Sequence, residues 1–542
     1  MDNHKQHHWG EINQAIHDYA DKKINDAVFR KRRILWGLHQ SPNGSYMLRF
    51  RFAEDGLTSS QARQMSHFIR KWIPSGKTHI TTRRNLQVYG INLGTSALAL
   101  ADANSEGLST YQSGGMVVRS VALCERAGYC LKQTADSRPL THALENWLGT
   151  QSLELPRKLK IAISGCAKDC AFAIVHDFGL VAVRNPQGET GYRFLAGGGL
   201  GRKPHRAKEL ESFVPEKEAG SRLVAAIGAF RKLGAGRPRA IARLKFLLDE
   251  IGVEKFRKAA GEISVNHFTE QPAFSENWHD AAQDIPEGGS ENFLKWKKAN
   301  IVPTNYPGRF SATVQVPKGW ITGDQLNRVA EIADFYSDGR FKLTSEQNIL
   351  FPALSGAALE PVFQRLEAAG LAGSGVNRIW DFTSCPGKDY CRGSEGYSLA
   401  SDIEGFLAEE ISRLPEEAQE GGIKVSGCLN QCGRTGLASF GLAGDWRLEE
   451  QGPRRIAHLF LGGGLYENGS RMAKYAGWIH MDQFGTFLRE FFEDFRTQRR
   501  EGETFKEYCL RASEDTSRSW ARGVVRMDKL SDQAGFQFES EC

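Results

Sequence analysis

Alternating apolar and polar residues predict β-strands that carry basic side chains. Residues alternate in this way over Ser45–Phe52, and successive side chains of a strand point to opposite faces, so Arg49 and Arg51 share one face. A second alternating strand places Lys158 and Lys160 on one face in the same manner. Exposed strands often carry such residues without a function. Beside a metal site, which the cysteines below indicate, fixed cations would form a pocket that holds an oxyanion and supplies protons to it.

Segments that resemble one another recur at a nearly constant spacing. Thr58-x-x-Gln61 and Thr322-x-x-Gln325 each precede an apolar-periodic segment, and each predicts a capping box at the start of a helix. The segment HITTRRNLQVYGI resembles FKLTSEQNILFPAL, and FLAGGGL resembles FLGGGL. The offsets stay between 261 and 266 residues. This order predicts a duplicated fold.

Each half is predicted to contain two units. A small unit has the strand, helix, strand order of an α+β fold, and a larger unit with alternating strands and a triple glycine follows it. A helical stretch, Ile241–Ala260, closes the first half. The predicted division is 1–39 (N-terminal extension), 40–110 and 308–370 (small units), 111–267 and 371–510 (larger units), 268–307 (polar linker) and 511–542 (C-terminal tail).

Composition limits the classes of function. The chain has 542 residues, a hydrophobic fraction of 40% and a net charge of +6. Its start, MDNHKQHHWG, lacks the apolar segment of a secretory signal, and no apolar run is long enough for a membrane span. No long basic run is interleaved with aromatic residues, so we expect neither a nucleic acid nor a membrane as a partner. We expect a cytoplasmic protein whose cysteines stay reduced.

Eight of the ten cysteines form one spacing pattern that occurs twice. Each half has a Cys-x5-Cys pair followed by a Cys-x3-Cys pair, and four thiolates from two short loops suit an iron–sulfur cluster. The spacing fits zinc modules poorly, and it lacks the Cys-x2-Cys-x2-Cys order of a ferredoxin-like electron carrier, the alternative from a non-enzymatic class. The two sets are Cys124, Cys130, Cys166 and Cys170, and Cys385, Cys391, Cys428 and Cys432.

The motif SGCLNQCGR, which contains the last cysteine pair, resembles that of the sirohaem-dependent sulfite and nitrite reductases. YMLRFR, TTRRNLQ, LPRKLK and the triple glycines follow in the order of that family over nearly the whole chain. The resemblance implies an α+β fold of two pseudo-symmetric halves, each with a small ferredoxin-like unit and a larger α/β unit that binds sirohaem and cluster. It also implies that the second cysteine set holds a [4Fe–4S] cluster, and that Cys432 also ligates the sirohaem iron.

The site residues of the family correspond one by one to positions in this chain. The residues implied to hold and protonate the substrate are Arg49, Arg119, Lys158 and Lys160. The residues implied to bind the carboxylates of sirohaem are Thr81, Arg83, Gln87, Asn430, Arg243 and Lys245. The structural alternatives are ordinary strand and turn polarity for Thr81 and Gln87 and a solvated helix face for Arg243 and Lys245.

Sulfite and nitrite are the two candidate substrates, each reduced by six electrons. Sulfite-reducing members resemble this chain in having Lys-x-Lys, here Lys158-Leu159-Lys160, where nitrite-reducing members similar to the plant enzymes have Lys-x-Asn. A dianion gains more than a monoanion from the additional charge of Lys160, since Coulomb attraction scales with the product of charges. We therefore expect sulfite as the main substrate and nitrite as the alternative.

The first cysteine set departs from most of the family, which has only the second. A second [4Fe–4S] cluster, a second pair of sirohaem and cluster as in dissimilatory sulfite reductases, or metal-free relics are the open alternatives. The repeat places non-cationic residues where a second pocket would need cations, so we expect one catalytic centre. The corresponding pairs are Arg49 and Thr313, Arg51 and Gln315, Arg83 and Glu346, Lys158 and Glu420, and Lys160 and Gly422.

The chain offers no flavin or nicotinamide domain, so electrons are expected from a separate ferredoxin or flavoprotein. The triple glycines lack the G-x-G-x-x-G order of a dinucleotide site, and we expect them to allow a close approach of the backbone to the cofactor. Cys509 and Cys542 lie outside both cysteine sets and are expected to be ordinary thiols.

Overall fold

The computed structural model describes residues 3–53, 56–151, 153–265, 268–269, 276, 278, 280–285, 287–391, 399–515 and 525–526. The helices of this part are α1 (Asn3–Ala20), α2 (Asp26–Arg33), α3 (Ser59–Trp72), α4 (Leu93–Ser105), α5 (Arg138–Thr150), α6 (Glu216–Gly234), α7 (Leu244–Ile251), α8 (Val253–Gly261), α9 (Glu291–Asn300), α10 (Gly323–Tyr336), α11 (Leu359–Ala368), α12 (Leu399–Ser412), α13 (Phe484–Gln498) and α14 (Phe505–Ala512). None of these helices is long and apolar enough to cross a lipid bilayer.

The strands belong to four five-stranded sheets and one two-stranded hairpin. They are β1 (Leu38–Gln40), β2 (Tyr46–Phe50), β3 (Leu57–Thr58), β4 (Lys77–Ile80), β5 (Leu86–Ile91), β6 (Ala122–Leu123), β7 (Ile161–Ser164), β8 (Phe178–Arg184), β9 (Thr190–Ala196), β10 (Lys208–Pro215), β11 (Ile301–Pro303), β12 (Arg309–Val314), β13 (Trp320–Thr322), β14 (Arg340–Leu343), β15 (Ile349–Ser355), β16 (Thr383–Ser384), β17 (Ile423–Ser426), β18 (Phe440–Glu449), β19 (Gly452–Leu461), β20 (Gly464–Tyr466), β21 (Gly469–Arg471) and β22 (Lys474–His480).

The two small units exchange a strand with each other. The first sheet has the order β1-β2-β5-β4-β13 and the second β11-β12-β15-β14-β3, so each takes its last strand from the other half. The exchanged strands end at Thr58 and Thr322, and each threonine caps the next helix by accepting a hydrogen bond of 3.1 Å, from Gln61 N and Gln325 N respectively. Both predicted capping boxes are therefore present. Helices α3 and α10 contact each other, and both units share one hydrophobic core.

The two larger units repeat one another strand by strand. Their sheets have the orders β10-β9-β8-β7-β6 and β16-β17-β18-β19-β22. In the first, β7 runs parallel to β8 with Ile161 opposite Phe178, and in the second, β17 runs parallel to β18 with Ile423 opposite Phe440. Both residues of the second pair lie 262 positions after their counterparts. The expected α+β fold of two pseudo-symmetric halves is confirmed.

Two expectations about local structure were wrong. Helix α9 and strand β11 lie inside the segment predicted to be a linker, because Phe293 and Trp296 share one helix face and enter the core of the small units. The stretch Ile241–Ala260 is not one helix, since Gly252 has a φ of 79° between α7 and α8.

The middle glycine of the first triple, Gly198, packs closely against the chain: a Cβ there would lie 2.6 Å from the carbonyl oxygen of His176.

Candidate functional site

Two arginines of the first half meet at one backbone carbonyl. Arg49, on β2, donates from Nη1 to the carbonyl oxygen of Ser113 at 3.0 Å. Arg119 donates to the same oxygen and, at 3.3 Å, to that of Gly115. Gln87 lies opposite Arg49 in the sheet, and since a guanidinium only donates, the amide oxygen of Gln87 faces it and accepts from Nη2 at 2.8 Å. The strands thus hold both guanidinium groups in fixed positions.

His39 lies among these cations, and the sequence interpretation missed it. It is buried on β1, and neither of its ring nitrogens has a hydrogen-bond partner among the described residues. Burial lowers the pKa of His39 well below its usual value, and the charges of Arg49, Arg119, Arg33 and Lys158 lower it further. The imidazole is therefore neutral in the free protein at neutral pH. A three-residue strand shows too little periodicity to reveal this position in the sequence.

Lys160 connects this cluster of basic side chains with Arg83 and Arg243. Burial lowers its pKa well below the usual value, and the nearby charges of Arg83, Lys158 and Arg243 lower it further, while Asp177 opposes them. The charges of Arg49, Arg119 and Lys158 all act on His39, and that of Lys158 also acts on Lys160, so the four predicted substrate residues belong to one electrostatic environment. The unpartnered imidazole and converging cations fit a small anion.

The Asp177 carboxylate fixes the strand that carries Lys160. It accepts a hydrogen bond from the backbone N of Lys160 at 2.8 Å and is paired with Arg243, whose Nη2 lies 2.9 Å away. Arg243 is thus not on a solvated helix face but holds a buried carboxylate. Lys245 is also buried, and its ammonium donates to the backbone carbonyls of Leu200 and Lys203. Both side chains lie beside the third glycine of the first triple, Gly199.

The other residues expected to bind sirohaem differ in their surroundings. Thr81 uses its hydroxyl within its own turn, where it accepts from the backbone N of Arg83 at 3.3 Å and of Asn85 at 3.1 Å. Arg83 contacts His176 through its Nη1 at 3.1 Å and also donates to the carbonyl of Ser120. Asn430 is exposed on the loop of the second cysteine set.

The first half contacts the second cysteine set directly through this turn. Thr82 donates from Oγ1 to the carbonyl oxygen of Cys432 at 3.0 Å. In return, Arg434 donates from Nη2 to the carbonyl oxygen of Thr82 at 2.6 Å. The basic residues of one half and the cysteines of the other therefore meet at the junction of the halves.

The two loops of the second cysteine set lie at adjacent strand ends. Cys385 follows β16 and Cys428 follows β17, and these strands are parallel neighbours, so their carboxyl ends share one edge. The backbone N of Gly427 lies 3.1 Å from the sulfur of Cys385, which places that thiol beside Cys428. Cys432 is exposed, although most of its loop is buried. Two soft ligands side by side, with a third, exposed one on the same loop, fit a cluster next to a second cofactor.

The first cysteine set also comes together. The thiols of Cys124 and Cys170 are hydrogen-bonded to each other. Burial raises the pKa of Cys166, and the neighbouring thiols of Cys124 and Cys130 raise it further. Among the described residues, no three His, Cys, Asp or Glu side chains form a group suited to a single metal ion.

The fold and the site define a class of protein: a duplicated α+β protein with cysteines suited to metal binding where its halves meet. Comparison with models of known families identifies the family. The nitrite/sulfite reductase ferredoxin-like half domain matches residues 39–102 and 305–369, and the nitrite and sulphite reductase 4Fe-4S domain matches residues 114–268. These matches span just over half of the chain. The chain belongs to the sirohaem-dependent nitrite and sulfite reductase family, whose cofactors are sirohaem and a [4Fe–4S] cluster.

Individual relatives resemble the chain over most of its length. It is 26% identical over 503 residues to the chloroplastic ferredoxin–nitrite reductase of Arabidopsis thaliana, covering 87% of this chain and 82% of the relative. It is 29% identical over 454 residues to the ferredoxin–nitrite reductase of Synechococcus elongatus, covering 80% and 83%. The solved structure of the NirA protein of Mycobacterium tuberculosis has the same fold, with a TM-score of 0.73, 23% identity, and coverage of 90% of this chain and 91% of that one.

Proposed function

We propose that the protein reduces nitrite to ammonia by six electrons with sirohaem and a [4Fe–4S] cluster. The second cysteine set would hold the cluster, and Cys432 would also hold the sirohaem. The observation that carries this proposal is the contact between Thr82 and the carbonyl of Cys432, because it brings the basic residues of the first half to the cysteines of the second. The names of the relatives support nitrite over the sulfite expected from the sequence.

The chain's own residues bind the anion and supply protons. The guanidinium groups of Arg49 and Arg119 would donate hydrogen bonds to the oxygens of the substrate and hold them. Lys158 and Lys160 would donate protons as these oxygens leave as water, and His39 would accept the proton that a bound anion attracts. When bound, the coupled sirohaem and cluster supply the electrons.

The cofactor residues divide into two proposed roles. Arg83, Gln87 and Asn430 lie around the pocket or on the exposed part of the second cysteine loop and would contact the macrocycle or its substrate. Thr81 shapes the turn that reaches Cys432, and Arg243 would position Lys160 through Asp177. Lys245 holds the backbone at Lys203, next to the first triple glycine.

The electron donor is proposed to be ferredoxin, as the names of the relatives state for those proteins. A separate flavoprotein is the alternative. We further propose a cytoplasmic location, in keeping with thiols that must remain reduced to bind iron.

Sulfite remains the second candidate because Lys160 lies in the proposed pocket. A comparison of kcat/KM for nitrite and sulfite, with one reduced ferredoxin as donor, tests the assignment, and we expect nitrite to be preferred. Lys160→Asn removes a charge that a dianion needs more than a monoanion, so it should weaken sulfite reduction more than nitrite reduction. A clear preference of the unaltered enzyme for sulfite would reverse the assignment, and an equal loss for both substrates would remove Lys160 from specificity.

A further inference from the structure

We infer that the first cysteine set holds a second [4Fe–4S] cluster and that no second sirohaem accompanies it. The inference rests on the proposed function in one respect, since it takes the second cysteine set as the reference cluster site. Its evidence lies in the backbone, the thiols and the residues that face the first set.

The strands bring the first set to the same kind of sheet edge as the second. Cys124 follows β6 and Cys166 follows β7, and Leu123 pairs with Ile163 in parallel. Parallel neighbours end at one edge, so both cysteine loops begin side by side. The second set begins in the same way after β16 and β17.

The turn that carries the last two cysteines has the same conformation in both halves. Asp169 has a φ of 55°, and its backbone N donates to the carbonyl of Cys166 at 3.1 Å. Gln431 also has a φ of 55°, and its N donates to the carbonyl of Cys428 at 3.1 Å. Left-handed backbone is uncommon for residues other than glycine, so its repetition shows that the turn is set by the same local constraints.

The Asp169 side chain secures the first turn from within. It accepts hydrogen bonds from the hydroxyl of Ser164 at 2.7 Å and from the backbone N of Ala173 at 2.8 Å. In the second half, the amide oxygen of Gln431 accepts from the backbone N of Gly436 at 2.9 Å. Both side chains thus hold their cysteine loops in the same conformation.

The thiols of the first set are near neighbours. Cys124 and Cys170 are hydrogen-bonded, and Cys166 lies near Cys124 and Cys130. Four soft thiolates from two adjacent loops suit an iron–sulfur cluster, and the Cys-x5-Cys spacing of the first pair fits zinc modules poorly.

The hairpin β20–β21 from the second half covers the first cysteine set. Ser470 donates to the carboxylate of Asp169, and the Cβ position of Gly469 lies 3.2 Å from the carbonyl oxygen of Ala167. Glu467 lies 3.0 Å from Lys132 and 3.8 Å from Lys168. Such a cover shields a cluster from solvent. The first half contacts the second cysteine loop in a similar way, since Gln431 donates from Nε2 to the carbonyl oxygen of Gly201 at 3.1 Å.

The residues that face the first set do not suit a sirohaem. The backbone N of Ser345 donates to Glu125 at 2.8 Å, which places the turn containing Glu346 next to Cys124. Glu346 takes the position of Arg83 and is paired with Lys424. A carboxylate there repels the carboxylates of a macrocycle and neutralises the nearest cation.

The cysteines of the first set are also less exposed to solvent than those of the second set. Cys124 and Cys166 are 8% and 9% exposed, whereas their counterparts Cys385 and Cys428 are more open. Cys432, the proposed ligand of sirohaem iron, is exposed, and its counterpart Cys170 is only partly so. In the first set, the position that corresponds to Cys432 is therefore less open to a large planar cofactor.

Iron, acid-labile sulfide and sirohaem counted on the full chain, purified without oxygen, test the inference. We expect about eight non-sirohaem irons and one sirohaem per chain. The double variant Cys166→Ser/Cys170→Ser should reduce the iron to about half and retain the sirohaem absorption. Cys509→Ala, which removes a buried thiol outside both sets, should leave both unchanged.

Each outcome decides one question. About four irons in the unaltered chain, or two sirohaems, would overturn the inference even if the double variant failed to fold. About eight irons without any sirohaem would support the second cluster and contradict the proposed function instead. An electron paramagnetic resonance signal of a reduced cluster that survives loss of sirohaem, and disappears in the double variant, would locate the second cluster in the first half.

Discussion

The two halves of the chain share a backbone and differ in the side chains at matching positions. In the first small unit, Arg49 lies opposite Gln87, and in the second, Thr313 lies opposite Leu350, in the same strand register. A similar replacement puts Val302 opposite Ser311 on the edge strand β11, where the first unit has His39 opposite Met47 on β1. The two halves thus share the same backbone, and the proposed anion pocket depends on a few side chains that differ between them.

The difference also explains why the halves need each other. The second half supplies the cysteine loop that contains Cys432, and the first supplies Thr82 and the cations around it. Strands β3 and β13 are exchanged between the small units, which fixes the relative position of the halves. A site assembled in this way loses its geometry if either copy moves.

The largest difference in activity is expected between substitutions at matching positions of the two small units. Arg49→Ala removes a fixed cation from the proposed pocket, and we expect kcat/KM for nitrite to fall about a hundredfold or more, since charge-stabilising donors contribute at that scale. Thr313→Ala, the same register position in the second small unit, should leave kcat/KM within about twofold because no cation is lost there. Steady-state assays of both variants, with sirohaem absorption as a check on cofactor content, measure the difference.

Equal losses in the two variants would contradict the division of roles between the halves. A loss confined to Arg49→Ala with normal sirohaem content would locate the pocket in the first half. If sirohaem were also lost, Arg49 would belong to cofactor binding instead.

A smaller effect is expected from pH. The charged form of Lys160 is disfavoured in the free pocket, where burial and the charges of Arg83, Lys158 and Arg243 lower its pKa. A bound anion favours the charged form, so binding takes up a proton and nitrite affinity should fall as pH rises, by up to tenfold per unit for one proton. Calorimetry in two buffers of different ionisation enthalpy measures this uptake directly.

The control for the pH effect is Lys160→Gln, which keeps a polar side chain but cannot titrate. It should bind nitrite more weakly and with a flatter pH dependence. An unchanged slope would transfer the proton uptake to His39, whose pKa is lowered by burial and by some of the same cations. His39→Phe would then flatten the profile.

Sequence patterns predicted the local features of the fold and of the site. Capping boxes and strand alternation depend on neighbouring residues, so the starts of α3 and α10 and the shared region of Lys158 and Lys160 could be derived. The strand exchange could not, because it depends on pairing between residues far apart in the chain, such as Thr78 and Ile321, which are 243 positions apart. No local pattern encodes such a register.

Polar residues of the site were harder to assign than the strands. The sequence shows that position 243 carries a cation, but the pairing of Arg243 with Asp177 depends on tertiary structure. The glycines of the first triple predict a close approach of the backbone to another group, and for Gly198 the structure shows that the carbonyl of His176 is one such group. A residue type indicates which bonds are available, and only the fold determines the partner.

The smallest predicted effect tests whether the small units unfold together. Thr58→Ala and Thr322→Ala each remove one cap, and each should lower the free energy of unfolding by about 1 kcal/mol. Since the units share one core and exchange β3 and β13, both changes should shift the same transition, and the double variant should lose about the sum. Thermal unfolding followed by circular dichroism measures the shift. Two separate transitions, each moved by only one of the substitutions, would mean that the halves fold independently and that the exchanged strands contribute little to their union.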